Sequence, residues 1–167
     1  NSLFMFIADD EMLRRISLWQ MGSLDAANWP RVWIAAGAVA LVMTLLPRDA
    51  AALNAFLLGE SEARHLGIAV DAVKRRLILL TAMAIGVSVA VAGTISFVGL
   101  IVPHIVRLLI GPDHRYLIPA SAMAGAILLI LADAVARVVV APAELPAGIL
   151  TALLGAPFFF SLLAKKR

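Results

Sequence analysis

The sequence predicts an all-α membrane protein, a polytopic bundle of about five transmembrane helices preceded by a truncated one. Hydrophobic residues make up 62% of the 167 residues and charged residues 15%, whereas an ordinary soluble domain carries about 25% charged residues. The mean hydropathy is +0.97. This composition excludes a soluble globular domain. The sequence contains no cysteine, which also excludes disulfides, thiolate zinc sites and thiol catalysis.

Five apolar stretches supply the predicted elements in order. Residues 3–8 are too short to span a membrane, and we interpret them as the end of a helix whose beginning is missing, which makes the chain a fragment. Residues 32–46, with their flanks, form the first complete span. Residues 77–106 carry no formal charge over 30 positions, so as one helix they would measure about 45 Å, longer than one crossing requires. Residues 117–136 and 147–164 each form one further span.

The long charge-free stretch is expected to break near its middle. Gly93, Gly99 and Pro103 supply the breaking chemistry, because glycine releases a helix and proline removes a backbone donor. We therefore divide the stretch into two spans, from 77 to about 92 and from about 97 to 110, joined by a tight turn.

The distribution of lysine and arginine predicts the orientation. With the stretch divided, ten of the 14 basic residues fall on one side of the membrane. They lie in the connection 47–76, in the loop that carries Arg107 and Arg115, and in the C-terminal Lys165-Lys166-Arg167. By the positive-inside rule this side is cytoplasmic, and so is the C-terminus. These anchors account for the net charge of +3, so we predict no nucleic-acid partner for this single transmembrane region, residues 1–167.

Within the connection, residues 59–67 predict a short amphipathic helix bracketed by two glycines. Ala63 and Leu66 form a small apolar face between charged residues. Such a helix cannot span the membrane. Two interpretations remain open for it: an ordinary solvated loop, or a docking helix that fits a groove on a cytoplasmic partner.

The opposite side holds a second group of charged candidates. Asp133 and Arg137 are four positions apart, so they share a helix face near the end of a span and can form an ion pair. Glu144 follows in a proline-rich turn. This group is either a local ion pair at the membrane surface or a docking contact for an external protein.

The sequence predicts no catalytic residue and no metal ligand set. Its three histidines have no ligand spacing, and His104 is more simply explained as a histidine bonded to the backbone that Pro103 frees. No phosphate-binding loop is present, so ATP hydrolysis would require a partner chain. A gradient-driven transporter is a weaker alternative, because only Asp133 approaches the depth at which such proteins place ionisable residues. Nothing supports an intramembrane enzyme.

Four ordered motifs closely resemble the FecCD-type permease subunits of ABC importers for iron siderophores, haem and cobalamin. They are Leu58-Gly59-Glu60-x-x-Ala63-Arg64-x-Leu66-Gly67; Gly93-x-Ile95-x-Phe97-x-Gly99-Leu100-x-x-Pro103-His104-x-x-Arg107; Leu131-Ala132-Asp133-x-x-Ala136-Arg137; and Glu144-Leu145-Pro146-x-Gly148-x-x-Thr151-x-x-x-Gly155-x-Pro157-x-Phe159. The resemblance covers nearly the whole chain and matches the C-terminal half of a ten-span subunit.

The resemblance implies a homodimeric permease in the bacterial inner membrane that carries haem or a ferric siderophore, with cobalamin as the alternative cargo. It implies cytoplasmic ATPase partners, an external or periplasmic binding protein and no cofactor. The residues it assigns to ATPase coupling are Gly59, Glu60, Ala63, Arg64, Leu66 and Gly67. The residue it places in docking of the binding protein is Arg137, to which we add Glu144 from its position in the nearby turn. For the helix break and pathway we predict Gly93, Gly99, Pro103 and His104.

Overall fold

The computed structural model describes residues 10–25, 27–143 and 145–166. In these residues the chain forms eight α-helices and one short 3₁₀ helix, Leu46–Asp49. The α-helices are α1 (Asp10–Met21), α2 (Trp29–Leu45), α3 (Ala50–Phe56), α4 (Glu60–His65), α5 (Val70–Ala92), α6 (Val98–Ile110), α7 (His114–Val139) and α8 (Ala147–Lys165). The predicted all-helical class is confirmed, whereas the helix end predicted at residues 3–8 lies outside the described residues.

Four helical runs are long and apolar enough to cross a membrane. They are Trp29–Phe56, Val70–Ala92, His114–Val139 and Ala147–Lys165. The division of the charge-free stretch into two helices is confirmed, but its second part, α6, has only 13 residues. A helix of that length measures about 20 Å, less than the hydrocarbon thickness. The described residues therefore contain four long spans and one short apolar helix.

Two helices extend further than the apolar stretches predicted. α5 begins at Val70 rather than at residue 77, and helical backbone follows α2 through the 3₁₀ helix to Phe56. Helical hydrogen bonds run along the backbone, so a helix continues where charged side chains begin. Much of the connection predicted at 47–76 is therefore helix. No element was predicted for α1.

Different contacts join the segments at the two ends of the bundle. At one, which we call the connection end (residues 46–69 and 111–115), the side chain of Asn54 contacts Asp113. At the other, the junction end (residues 19–25, 92–97, 137–143 and 145–148), the N–H of Gly148 donates to the Gly22 carbonyl. α6 and α7 pack together between the two ends around buried Val102. Most of the candidate residues lie at the two ends, whereas Gly99, Pro103 and His104 lie within α6.

Candidate functional site

The short helix α4 stands at the connection end between two glycines. Gly59 precedes it with a φ of +109° and Gly67 follows it with a φ of +84°. Residues with a side chain rarely adopt such angles, so glycine is required to turn the chain into and out of α4. The short helix predicted between these glycines is confirmed.

The apolar residues of this segment point in two directions. Ala63 has no exposed surface and packs with Ala55 and Val70. Leu66 is 65% exposed and Leu58 is 68% exposed. The apolar face predicted from Ala63 and Leu66 is therefore divided, because α3 and α5 cover one side of α4 and leave the other open. Ala63 anchors the helix, and the leucines form its accessible surface.

The charged residues of α4 tie it to the first turns of α5. Glu60 forms an ion pair with Lys74, and Arg64 lies 3.3 Å from an oxygen of Asp71. All four side chains are at least 44% exposed, so each pair contributes only about 0.2 to 1 kcal/mol. The pairs orient α4 relative to α5 without locking it.

A more buried pair lies beneath them. Asp49, with only 6% of its side chain exposed, accepts two hydrogen bonds from the guanidinium of Arg76, one of them 2.8 Å long between Nε and Oδ2. This fork-like geometry is the strong arrangement for arginine and a carboxylate. It joins the end of the 3₁₀ helix to α5.

Sequence reasoning missed Asn54, which links α3 to the start of α7. Its side-chain amide donates to Asp113 Oδ1 at 2.9 Å, and its oxygen accepts from the His114 backbone N–H at 2.9 Å. Asp113 also caps α7 by accepting from the Arg115 N–H at 3.0 Å. The hydrogen bonds that Asp113 accepts, from Asn54 most strongly and then from the Arg115 N–H, hold the pKa of its carboxyl below the usual value.

At the junction end, three glycines allow backbones to touch. Gly22 and Gly93 have φ values of +73° and +74°, and Gly148 opens α8. An added Cβ would overlap a backbone oxygen in each case: that of Thr94 for Gly22, of Trp19 for Gly93, and of Met21 for Gly148. Gly93 was predicted as a helix break, and it also makes this close approach.

Backbone hydrogen bonds hold the same junction. The N–H of Ser23 donates to the Ala92 carbonyl at 2.8 Å, and the N–H of Gly148 donates to the Gly22 carbonyl at 3.0 Å. The chain after α1 is thus joined to both α5 and α8. Gly148 belongs to a sequence motif quoted above, but its partner Gly22 lies 126 positions away, which no local pattern predicts.

Arg137 lies at the junction end between two carboxylates. Its guanidinium is 2.8 Å from Asp133, as the spacing predicted, and 2.9 Å from Asp25. The ion pair with Asp25 was not predicted, and it joins α7 to the segment after α1. Glu144, the other predicted docking residue, lies outside the described residues.

Two of the predicted breaking residues do not break a helix. Gly99 and Pro103 both lie inside α6, which runs without interruption. The chain instead turns between Gly93 and Phe97, which adopts a left-handed φ of +68° just before α6 begins. Pro103 removes one helical hydrogen bond, the one to the carbonyl of Gly99, and the helix continues on both sides of it.

His104 packs against an aromatic ring. Its ring centroid is 5.9 Å from that of Phe158 in an edge-to-face arrangement, a favourable geometry. This contact between α6 and α8 replaces the predicted bond to backbone freed by Pro103. Beside it lies an open cavity of about 320 Å³ lined mainly by apolar side chains of α6, α7 and α8, including Ile105, Ala124 and Phe158.

Within the described ranges, no group of three or more histidine, aspartate or glutamate side chains is arranged to hold a metal ion. Most of the site residues fall instead into two groups, one at the connection end, where side chains make the contacts, and one at the junction end, where backbones pack closely. Gly99, Pro103 and His104 lie in α6 between these groups.

Comparison with known proteins identifies relatives along the whole chain. The profile of the FecCD transport family matches residues 1–165. The chain is 48% identical over 162 residues to the hemin transport system permease protein HmuU of Yersinia pestis, covering 97% of this chain and 48% of the relative. It is 42% identical over 160 residues to the vitamin B12 import system permease protein BtuC of Vibrio cholerae, covering 96% of this chain and 48% of the relative. The chain spans about half the length of the curated relatives it matches.

A solved structure has a closely similar fold. It is described as an inward-facing conformation of an ABC transporter assigned to the metal-chelate type. The TM-score is 0.88 at 38% sequence identity, and the match covers 98% of this chain and 55% of that chain.

Proposed function

We propose that this chain, which belongs to the FecCD transport family, forms half of a permease subunit of an ATP-driven importer in the bacterial inner membrane. A separate ATPase supplies the energy, an external binding protein delivers the cargo, and a second permease copy completes a homodimer. The observation that carries the proposal is α4, a glycine-bracketed helix that is too short to span and is held at the end of the bundle with two exposed leucines beside it.

In this proposal the connection end faces the cytoplasm and α4 contacts the ATPase. The positive-inside rule supports the orientation, since ten of the 14 basic residues lie in the connection end or in the adjoining first turns of α5, last turn of α6 and C-terminal end of the chain. Exposed Leu58 and Leu66 support the contact, because apolar side chains grouped outside the spans are typical of protein interfaces. Glu60 and Arg64 position the helix through their pairs with α5. Movement of the ATPase then rocks α4 and α5 together, as alternating access requires.

The proposed cargo is haem or a ferric siderophore, and cobalamin is the second candidate. The 48% identity to a hemin permease favours haem, whereas the 42% identity to a vitamin B12 permease supports cobalamin. Uptake assays with the full-length permease, its ATPase and its binding protein separate the two. Competition by unlabelled haem but not by cobalamin would establish the first assignment, and the reverse would overturn it.

The ATPase contact is tested by Leu66→Asp in the full-length permease. Burying an unpaired charge in an apolar contact costs more than about 1.4 kcal/mol, so ATPase affinity should fall about tenfold or more. Ala72→Asp is the matched control, because it adds the same charge on the exposed surface of α5 nearby. Wild-type co-purification of the ATPase with Leu66→Asp would mean that α4 is a solvent-exposed helix that does not contact the ATPase.

The orientation is tested by single cysteines, which can be introduced cleanly into this cysteine-free chain. Glu60→Cys and Arg115→Cys should react with an impermeant reagent only from the cytoplasm, and Asp25→Cys only from outside. Equal labelling of Arg115→Cys and Asp25→Cys from outside would contradict the proposed topology.

We also propose that Arg137 contributes to docking of the external binding protein. Its side chain is 56% exposed beside Asp133 and Asp25, so it can approach a partner while those carboxylates orient it. Arg137→Glu in reconstituted membranes should weaken binding, and an acid-to-base change on the binding protein should partly restore it. Charge contacts are strongest at low salt. If folded Arg137→Glu binds the external binding protein at low salt with the wild-type dissociation constant, Arg137 stabilises the permease and does not contribute to docking.

A further inference from the structure

Asn54 makes a directional contact between two elements that are far apart in the sequence. Its amide nitrogen faces Asp113 Oδ1, and its oxygen faces both the backbone N–H and Nδ1 of His114, all at 2.8 to 2.9 Å. The opposite amide orientation would point N–H groups at the N–H of His114, so the network determines which atom lies where. The side chain thus uses its donor on one residue and its acceptor on the next.

The helix that carries Asn54 contacts two neighbours through adjacent residues. Ala55 is buried in the cluster with Ala63 of α4 and Val70 of α5. Asn54, one position earlier, reaches α7. Apolar packing therefore joins α4 to α3, and the hydrogen bonds of Asn54 join α3 to α7.

α7 is suited to carry a displacement of α4 across the bundle. It is one uninterrupted helix of 26 residues, about 39 Å long. Asp113 caps its first turn, and Arg137 in its last turn pairs with Asp25 at the junction end. Asn54 thus contacts Asp113 at the start of α7, and the other end of α7 is joined to the junction end by Arg137.

We infer that Asn54 is a positioning residue that couples α4 to α7, so that movement at the ATPase contact reaches the junction end through α7 as well as through α5. This inference rests on the proposed function and extends it. Among the described residues, the ion pairs of α4 lead to α5, whereas Asn54 provides a second route to α7. Removing Asn54 should leave the ATPase contact intact and separate ATP hydrolysis from transport.

The experiment uses the full-length permease reconstituted with its ATPase and binding protein. Asn54→Ala is compared with Ser88→Ala, a control whose hydroxyl donates a hydrogen bond to the Ala84 carbonyl within its own helix. ATPase co-purification, ATP hydrolysis and cargo uptake are measured in the same vesicles. We expect Asn54→Ala to bind the ATPase normally, with uptake per ATP reduced about fivefold, the lower range for coupling between sites.

A swapped pair separates this role from simple stabilisation. Asn54→Asp alone places two carboxylates within hydrogen-bonding distance and should also lower uptake per ATP. Adding Asp113→Asn returns an amide donor opposite an acceptor, keeps an acceptor for the His114 N–H and retains a residue type favoured at helix N-caps. Uptake per ATP should recover in the double variant. If Asn54→Ala does not accumulate, the comparison of Asn54→Asp with the double variant gives the answer alone.

A wild-type ratio of uptake to hydrolysis in folded Asn54→Ala, even with reduced thermal stability, would overturn the inference. So would a double variant no better coupled than Asn54→Asp. Either result leaves the proposed function standing if Leu66→Asp still releases the ATPase. If Leu66→Asp has no effect, the proposed ATPase contact itself fails.

Discussion

The two ends of the bundle are held together by different kinds of contact. At the junction end, backbone atoms of Gly22, Gly93 and Gly148 meet backbone atoms of neighbouring segments, and main-chain hydrogen bonds join them. At the connection end, side chains make the links, through ion pairs between α4 and α5 and through Asn54. Side chains can change rotamer and partner with little cost, whereas touching backbones cannot separate and re-form in another register so easily.

This difference indicates where the chain can move. The connection end contains short helices, exposed ion pairs and two glycine turns, which are features of segments that rearrange. The junction end joins α1, α5 and α8 as one unit. A transport cycle driven from the connection end would therefore tilt helices about a fixed junction, and the predictions below test whether the junction is as fixed, and the connection as adjustable, as the contacts indicate.

The largest effect is expected from Gly148→Ala. The added Cβ would overlap the carbonyl oxygen of Met21, and both are backbone positions that cannot move apart without separating α1 from α8. We expect the full-length permease to lose more than about 4 kcal/mol of stability, the exceptional range for one substitution. Thermal unfolding in detergent and the yield of monodisperse protein measure the loss.

Gly86→Ala is the control for that substitution. Gly86 lies inside α5, and among the described residues an added Cβ would meet no atom within 4 Å apart from the neighbouring residues and backbone of its own helix. Alanine also stabilises a helix by about 1 kcal/mol relative to glycine. It should therefore be tolerated or slightly stabilising. If Gly148→Ala is tolerated equally well, the junction is not a rigid backbone contact and the comparison of the two ends fails.

An intermediate effect is expected from Asp49→Asn, which removes the charge from the most buried ion pair of the connection end. The Arg76 side chain is 54% exposed, so water replaces part of the lost interaction, and we expect about 1 to 2 kcal/mol of destabilisation rather than the 3 to 5 kcal/mol typical of a fully buried pair. Arg76→Gln should cost more, because it leaves the carboxylate of Asp49 buried without its partner. Equal effects would contradict the asymmetric burial.

Sequence patterns predicted the parts of this structure that depend on neighbouring residues. The charge-free stretch was too long for one span, so its length predicted a break and the glycine at position 93 indicated where it lies. The short helix α4 was predicted from the glycines on either side of it. The predicted share of Gly99 and Pro103 in the break was wrong, because α6 begins before both residues and continues through them.

Contacts between distant segments were beyond such patterns. Asn54 meets Asp113 across 59 positions, and Ala63 is buried because α3 and α5 fold over it. The spacing of Asp133 and Arg137 predicted their ion pair, but the second carboxylate, Asp25, comes from a segment after α1 that no periodicity relates to α7. The residues that join the two ends to the bundle are therefore mostly those that sequence reasoning missed.

The smallest effect is expected from exchanging the charges of Glu60 and Lys74. Their side chains are 54% and 44% exposed, so the pair contributes about 0.2 to 1 kcal/mol. Glu60→Lys alone brings two positive charges together and should destabilise by a similar amount, and adding Lys74→Glu should restore the attraction and most of the stability. Because salt screens exposed charges over about 8 Å at physiological ionic strength, raising the salt concentration should reduce the difference between the single and double variants. Thermal unfolding at low and high salt measures both effects. A single variant that loses several kcal/mol, with no recovery on exchange, would mean that α4 is held as tightly as the junction, and the contrast between an adjustable end and a fixed end would no longer hold.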